Sequence, residues 1–315
     1  MICPTCGADD SRQAGWSILK DSRNKRHKCK QCGRVWAIAE RQPKLLYFDI
    51  ETSPVKTWTW GAHKRYINPD DIIEDWFVMG WAAKWVCTSS MFSYVVNTKE
   101  VKKCDDRRIM KPLWDLFNEA DVIIGHNSDR FDIKRVNWRW AIHGYKPPRP
   151  YKTVDTLKAV RSVWGATSNK LDYLTKHLGL DGKMETQKGL FKKCREGDGA
   201  ALRELRRYNE VDVLEGESLY LKVRPWMKNH PNMGLYYETN QARCKNCGSQ
   251  DLDIDENETV KTAVNSYYCW VCVNCGANGR TPVSARYEKP YPDEDREVKR
   301  MIAEENREKR ENLMR

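Results

Sequence analysis

The chain has 315 residues, of which 40% are hydrophobic and 31% are charged. This length accommodates a full α/β domain with small appendages. The absence of an apolar run near ~20 residues, and of a signal peptide at MICPTCG, argues against membrane and secreted classes. The formal net charge of +11 favours a polyanionic partner, with a merely soluble basic protein as the alternative.

Two C-x-x-C pairs define an N-terminal block, residues 1–40, and 22 residues separate them. A glycine follows each pair and suits the tight turn around a metal-bound sulfur. We therefore predict a structural zinc ribbon with the ligands Cys3, Cys6, Cys29 and Cys32. Basic residues near the second pair predict contact with DNA, with a purely structural or protein-docking role as the alternative: Arg23, Lys25, Arg26, His27, Lys28, Lys30 and Arg34.

The central block, residues 44–236, alternates apolar strands with amphipathic segments and predicts an α/β fold. Its first strand begins with LLYFDI, and Leu45, Tyr47, Asp49 and Glu51 alternate onto one face. Next come a hairpin of FVMGWAAKWV and MFSYVV, and a helix in RIMKPLWDLFNEA with Pro112 in its first turn. The remaining elements are a strand at DVIIGHN, a helix ending at Gly144, a strand at YKTVDT, a helix stopped by Gly179 and a helix over about 200–223 capped by Asp198.

Four carboxylates in this block occupy positions that suit a phosphate-handling site. Asp49 and Glu51 project to the same side of a strand, and Asp132 opens the helix after DVIIGHN. Asp212 follows Tyr208 by one helical turn, so the two share a face. Each feature alone is commonly structural, but together they predict two Mg²⁺ ions that clamp a phosphodiester for attack by water. The pattern favours a nuclease.

These motifs resemble the DEDD superfamily of 3′–5′ exonucleases, in the tyrosine subclass that includes the proofreading domain of family-B DNA polymerases. The matches are Asp49-Ile50-Glu51, Asn127 through Phe131-Asp132, and Tyr208 with Asp212. Stretches across about 44–240, such as SNKLDYLTKHLGL and RRYNEVDVLEGESLYLKVRPW, look like stand-alone, phage-type members.

The resemblance implies an RNase H-like mixed sheet flanked by helices and an activity on single-stranded or frayed 3′ ends of DNA. It implies that Asp49, Glu51, Asp132 and Asp212 bind two Mg²⁺ or Mn²⁺ ions, and that Tyr208 orients or activates the water. The expected location is the cytoplasm of a bacterial cell or a phage-infected host. An exoribonuclease of the same fold and a non-catalytic nucleic-acid-binding adaptor remain as rival functions.

Several other side chains near the motifs are expected to contact substrate, each with a structural alternative. Asn127 contacts the terminal nucleotide or caps the helix of Asp132, and Asp155 supports the metal ligands or caps the end of its strand. His126 touches the scissile phosphate or is a satisfied histidine near the core. Trp58 and Trp60 stack on bases or belong to the core.

A basic wall for the substrate backbone is expected before and along the last helix, with a solvated helix face as the alternative. Its members are Lys188, Lys192, Lys193, Arg195, Arg203, Arg206 and Arg207.

A second ribbon is predicted over residues 240–283, with 24 residues between its cysteine pairs. Cys269 offers an overlapping pair with Cys272, but only the later pair ends in glycine, so the predicted zinc ligands are Cys244, Cys247, Cys272 and Cys275. The acidic loop of this ribbon favours docking of a protein, with replication or recombination proteins as expected partners. Residues 284–315 form a charged tail, predicted to be helical or partly disordered.

Overall fold

The computed structural model describes Cys3 and residues 5–19, 22–39, 42–61, 66–180, 189–237 and 242–281. The predicted tail, 284–315, and Lys188 lie outside these residues. The chain divides into two compact units, one of residues 44–231 and the other of residues 1–43 with 232–315. Within the described part of the chain, no helix has the length and apolarity needed to cross a membrane.

An antiparallel three-stranded sheet forms the N-terminal ribbon, in the order β1 (Ser11–Leu19), β2 (Ser22–Cys29) and β3 (Val35–Ala39). The two cysteine turns that accompany it have the same hydrogen bonding. The amide of Gly7 donates to the carbonyl of Cys3 at 2.9 Å, and that of Gly33 to Cys29 at 3.1 Å. Both glycines have φ +72°, a left-handed conformation that favours glycine.

The larger unit contains a mixed five-stranded sheet, which confirms the predicted α/β class. Its strands are β4 (Leu45–Thr52), β7 (Val78–Trp85), β8 (Met91–Val95), β9 (Val122–Gly125) and β10 (Lys152–Asp155), in the order β10-β9-β4-β7-β8. Strands β10, β9 and β4 run parallel, and β7 and β8 form the predicted antiparallel hairpin. Two short strands, β5 (Lys56–Thr57) and β6 (Ile72–Glu74), pair separately.

Seven α-helices lie in the described part of this unit: α1 (Thr98–Lys103), α2 (Arg107–Glu119), α3 (Asp132–Ile142), α4 (Thr156–Val163), α5 (Leu171–His177), α6 (Leu190–Arg195) and α7 (Gly199–Val223). Short 3₁₀ turns cover Pro69–Asp71, Arg224–Trp226 and, in the other unit, Met233–Tyr236. Asp198 caps α7 as predicted, because its carboxylate accepts the amides of Ala200 and Ala201.

Pro112 was placed wrongly in the first turn of its helix. Helix α2 begins at Arg107, so the proline is the sixth residue. The amide of Arg107 donates to the carboxylate of Asp105 at 3.0 Å, and this bond fixes the earlier start.

The two faces of strand β4 serve different purposes. Leu46, Phe48 and Ile50 are buried in the main core, where the ring of Phe48 meets Phe117 of α2 edge-on at 4.8 Å. Tyr47 and Asp49 alternate with them and contact helix α7. This alternation places the acidic residues of β4 beside α7.

The second ribbon is another antiparallel sheet, with β11 (Leu252–Lys261), β12 (Ser266–Cys272) and β13 (Asn278–Arg280) in that order. A bulge interrupts the β11–β12 pairing between Asp255 and Thr259. The cluster of Cys244, Cys272, Trp270 and Ala277 forms its small core.

Candidate active site and metal centres

Three of the four predicted carboxylates converge. One oxygen from each of Asp49, Glu51 and Asp212 lies within 4.8 Å of the others. The first two come from β4 and the third from α7. Helix α7 approaches β4 this closely because residue 216 is glycine, where a Cβ atom would stand 2.0 Å from the hydroxyl of Tyr47.

Asp132, the first residue of α3, is a fourth carboxylate that contacts β4. It is only 4% exposed. Its carboxylate accepts the backbone amide of Ile50, which lies between Asp49 and Glu51 on the strand. Asp132 is not among the three carboxylates within 4.8 Å, but its charge acts on Asp49.

Negative charges lie close together at this site, and the pKa values of Asp49 and Asp132 are raised. Burial raises the pKa of Asp49 well above its usual range, and the charges of Asp132, Glu51 and Asp212 raise it further. Burial is also the main cause that raises the pKa of Asp132, to about 7. A set of hard carboxylate oxygens that repel one another is the donor chemistry that Mg²⁺ or Mn²⁺ prefers, so the residues fit such ions.

Tyr208 is hydrogen-bonded to Asp212 one turn further along α7. Burial raises the pKa of its phenol, and the charges of Asp212 and Glu51 raise it further. The phenol therefore stays protonated at neutral pH and acts as a hydrogen-bonding group. This favours orienting a water molecule over abstracting its proton.

Asn209 is a residue of the site that sequence analysis missed. It is 1% exposed, and its Nδ2 donates to Oδ2 of Asp49 at 2.6 Å. Within the described residues its Oδ1 is buried without a hydrogen-bond partner. Asn209 precedes Asp212 by three residues, and this helical spacing is the signal that places it on the same face.

Asp155 holds the loop that leads to Asp132. Its carboxylate accepts the amides of Asn127 at 2.9 Å and Asp129 at 3.4 Å, and it also caps α4 through Leu157 at 3.0 Å. Asp155 therefore caps the element that follows its strand, and its support of the metal ligands stays a prediction.

Asn127 itself adopts a left-handed conformation with φ +65°. No side chain caps the start of α3, so the expectation that Asn127 caps this helix is wrong. Its contact with a terminal nucleotide stays a prediction.

His126 makes two internal hydrogen bonds, each 2.9 Å long. Its Nδ1 pairs with the hydroxyl of Thr156, and its Nε2 with the carbonyl of Asn169. Burial lowers the pKa of the ring, which keeps it neutral at pH 7. Both ring nitrogens are thus engaged, which favours the structural alternative over contact with a phosphate.

Trp58 and Trp60 are 75% and 96% exposed, so their alternative role in the core is wrong. The amide of Trp58 donates to the carbonyl of Asp71 at 3.0 Å, which ties its backbone to the β5–β6 region. Stacking of bases on Trp58 stays a prediction.

The predicted basic wall divides into exposed and internal members. The exposed cations are Lys192 and Lys193 on α6 and Arg203, Arg206 and Arg207 on α7. Arg195 instead pairs with Glu74 at 2.5 Å and packs over Phe77, so its assignment to the wall is wrong. Arg206 donates to Ser93 at 2.8 Å and pairs with Glu210, and its guanidinium is only partly available.

Each ribbon gathers its four predicted cysteine sulfurs within 4.8 Å of one another. In the first, the Cys3–Cys32 and Cys6–Cys29 sulfurs are both 3.6 Å apart, and in the second the Cys244–Cys275 and Cys247–Cys272 sulfurs have the same separation. A tetrahedron with metal–sulfur bonds of about 2.3 Å has edges of roughly 3.8 Å. Both clusters therefore fit a tetrahedral ion, and Cys269 is in neither.

Comparison with known proteins agrees with this architecture. Residues 84–224 match the family model of the RNase H superfamily. The central domain is RNase H-like. The match includes Asp132, Tyr208 and Asp212 but begins after Asp49 and Glu51, so the first motif of this RNase H-like domain lies outside it.

A similar solved structure is the family B DNA polymerase from the hyperthermophilic archaeon Pyrobaculum calidifontis, with 18% identity and a TM-score of 0.44. The alignment covers 65% of this chain and 29% of the polymerase chain. This chain thus corresponds to less than a third of the polymerase. No curated protein matches the sequence.

Proposed function

We propose that the protein is a metal-dependent 3′–5′ exonuclease that hydrolyses phosphodiester bonds at DNA ends. The observation that carries the proposal is the meeting of Asp49, Glu51 and Asp212 within 4.8 Å, with Asp132 bound to the amide between the first two. The 3′–5′ polarity and the preference for DNA rest on the resemblance of the motifs.

Asp49, Glu51, Asp132 and Asp212 would hold two Mg²⁺ or Mn²⁺ ions. Bound there, such ions supply positive charge that stabilises the attacking and leaving oxygens of the phosphodiester. Asn209 orients the carboxylate of Asp49 through its 2.6 Å hydrogen bond. Tyr208 keeps its proton and orients the attacking water beside Asp212.

The first ribbon would bind structural zinc and contact the nucleic-acid backbone. Pairing of β1 with β2 sets Arg12 directly opposite Lys28, and Arg26 lies two residues earlier on the same face as Lys28. Like charges in such cross-strand positions destabilise a sheet, and a polyanion on this face would relieve their repulsion. The exposed Arg26 and Arg34 extend the charge.

The second ribbon would also bind structural zinc, but its charge suits another partner. Asp255 and Glu258 are exposed at the bulge of β11. Carboxylates here oppose a phosphate backbone, so this ribbon is assigned to docking of a protein.

The test of activity uses single-stranded DNA, blunt duplex DNA and RNA oligonucleotides, each labelled at either the 5′ or the 3′ end. With Mg²⁺ or Mn²⁺, a 5′ label should yield a ladder of shortened DNA strands, and a 3′ label should be released at once as mononucleotide. Cleavage of RNA alone would replace DNA by RNA as the substrate. Binding of DNA without cleavage under any metal would favour the adaptor.

The site assignment is tested by Asp49→Ala, with Asp115→Ala as its matched control. Asp115 forms a surface ion pair with Lys111, and such pairs contribute little stability, about 0–1 kcal/mol. We expect the Asp49 variant to lose cleavage while folding and zinc content stay intact, and the Asp115 variant to cleave normally. Retained activity in Asp49→Ala would contradict the metal assignment.

A further inference from the structure

The guanidinium of Arg135 packs against two aromatic rings. Its guanidinium carbon lies 4.2 Å from the centre of the Trp76 ring and 4.6 Å from that of Phe131. Stacking of a guanidinium on aromatic rings uses the faces of the planar group and leaves the N–H donors around its edge. The two rings thereby fix the orientation of the guanidinium, and the N–H donors around its edge are available for a ligand.

The edge of this guanidinium has no acceptor within the described part of the chain. Among the described residues, the neighbouring Arg139 binds Asp106 through two nitrogens, whereas the guanidinium of Arg135 has no hydrogen bond or ion pair and only the longer-range charges of Asp75 and Asp132 act on it. Arg135 is also half-buried, and a partly desolvated cation is costly unless an anion accepts its protons. The arrangement fits an anionic ligand that is not part of the chain.

The position of Arg135 identifies the kind of anion. It follows Asp132 by three residues on α3, so the two side chains share a helical face, and the charge of Asp132 acts on it. A cation at the border of the acidic site can bind one backbone phosphate while the adjacent phosphodiester of the same strand is hydrolysed at the site. A guanidinium suits this task because its donors match two oxygens of one phosphate.

We propose that Arg135, packed against Trp76 and Phe131, binds a backbone phosphate of the substrate strand beside the acidic site. The inference rests on the proposed nuclease function, and it adds a binding group that the sequence motifs do not contain. Phe131 then lies next to two residues of the site. It directly precedes Asp132 in the chain, and its ring packs against Arg135 one helical turn later.

Binding measurements separate this role from catalysis. Fluorescence anisotropy with a labelled single-stranded DNA, in an Asp49→Ala background without divalent metal, reports affinity at several salt concentrations. The variants are Arg135→Ala and Arg135→Lys, and the matched control is Lys134→Ala, an exposed cation on the same helix. Circular dichroism checks that each variant is folded.

We expect Arg135→Ala to weaken binding by about 10- to 100-fold, the range for a lost charge-assisted hydrogen-bonded pair. The slope of log affinity against log salt should fall by roughly 0.7, the value for one single-strand phosphate. Arg135→Lys should keep the slope and still lose affinity, because lysine lacks the planar edge and the stacking. Lys134→Ala should change little.

The outcomes distinguish two kinds of failure. If the protein without substitutions cleaves DNA, and Arg135→Ala and Arg135→Lys match the Asp49→Ala background in affinity and slope, the role of Arg135 is wrong and the nuclease proposal stands. Equal weakening by Lys134→Ala and Arg135→Ala would also overturn it, since general charge would explain both. If the protein without substitutions neither binds nor cleaves nucleic acid, both proposals fail.

Discussion

Gly216→Ala tests how the acidic site is assembled. A Cβ atom at this position would lie 2.0 Å from the hydroxyl oxygen of Tyr47, 2.3 Å from Cζ and 2.5 Å from Cε1. Carbon contacts are comfortable at about 3.5–4.0 Å, so the ring and α7 would have to separate by roughly 1.5 Å. Tyr47 is 1% exposed and its hydroxyl is hydrogen-bonded to Thr156, which leaves the helix as the element that moves.

The displacement should cost both stability and activity. Overpacking of this kind destabilises by about 1–3 kcal/mol. Asp212 lies one turn before Gly216 and would move away from Asp49, and a shift of about 1 Å in a catalytic group can lower a rate ~100-fold. Urea unfolding and the rate of oligonucleotide cleavage measure the two effects.

Gly199→Ala is the matched control, because it lies in the same helix. The nearest atom to its added Cβ would be Nη1 of Arg203 at 3.6 Å, an ordinary contact. We expect unchanged activity and a stability that is equal or higher by about 0.4–1 kcal/mol. If Gly216→Ala behaves like Gly199→Ala, the close approach of α7 to β4 is not what brings the carboxylates together.

Four further predictions concern single side chains. Asp132→Asn should stabilise the metal-free protein at pH 8 by on the order of 4 kcal/mol, because a carboxyl whose pKa is raised to about 7 in the fold destabilises the protein increasingly as pH rises from about 4 to 7; equal urea midpoints would refute this. Asn209→Ala should weaken binding of Mn²⁺, measured calorimetrically, whereas unchanged affinity would show that its hydrogen bond does not orient a ligand. Tyr208→Phe should slow cleavage without abolishing it, and a loss as complete as that of an acidic ligand would assign the phenol a larger role. Cys275→Ser should reduce the zinc content, measured by elemental analysis, from two ions to one, and Cys269→Ser should leave it at two. The reverse result would show that Cys269, and not Cys275, is the zinc ligand.

Regular patterns explain why much of the fold was predictable. The alternation in LLYFDI and the cap at Asp198 define β4 and α7, because buried strands and capped helices leave local signals. The order of Asp49 and Asp212 on these two elements then predicted that they meet, and their oxygens do lie within 4.8 Å with that of Glu51.

Features that depend on contact between distant segments were not predictable. Local sequence does not show that Gly216 must accommodate Tyr47, or that the buried Asn209 binds Asp49 across the space between helix and strand. Whether Trp58 is exposed or buried stayed open for the same reason, because proximity to a strand does not show which side chains other segments cover. Arg195 was misassigned because its partner, Glu74, lies 121 residues away.

The most direct test of the central claim is anomalous diffraction from crystals soaked in Mn²⁺. The account predicts two peaks about 3.5–4 Å apart, bounded by Asp49, Glu51, Asp132 and Asp212. Crystals of Asp49→Ala should lose at least one of them. Absence of any Mn²⁺ peak among these carboxylates, in crystals of protein that still cleaves DNA, would contradict the account.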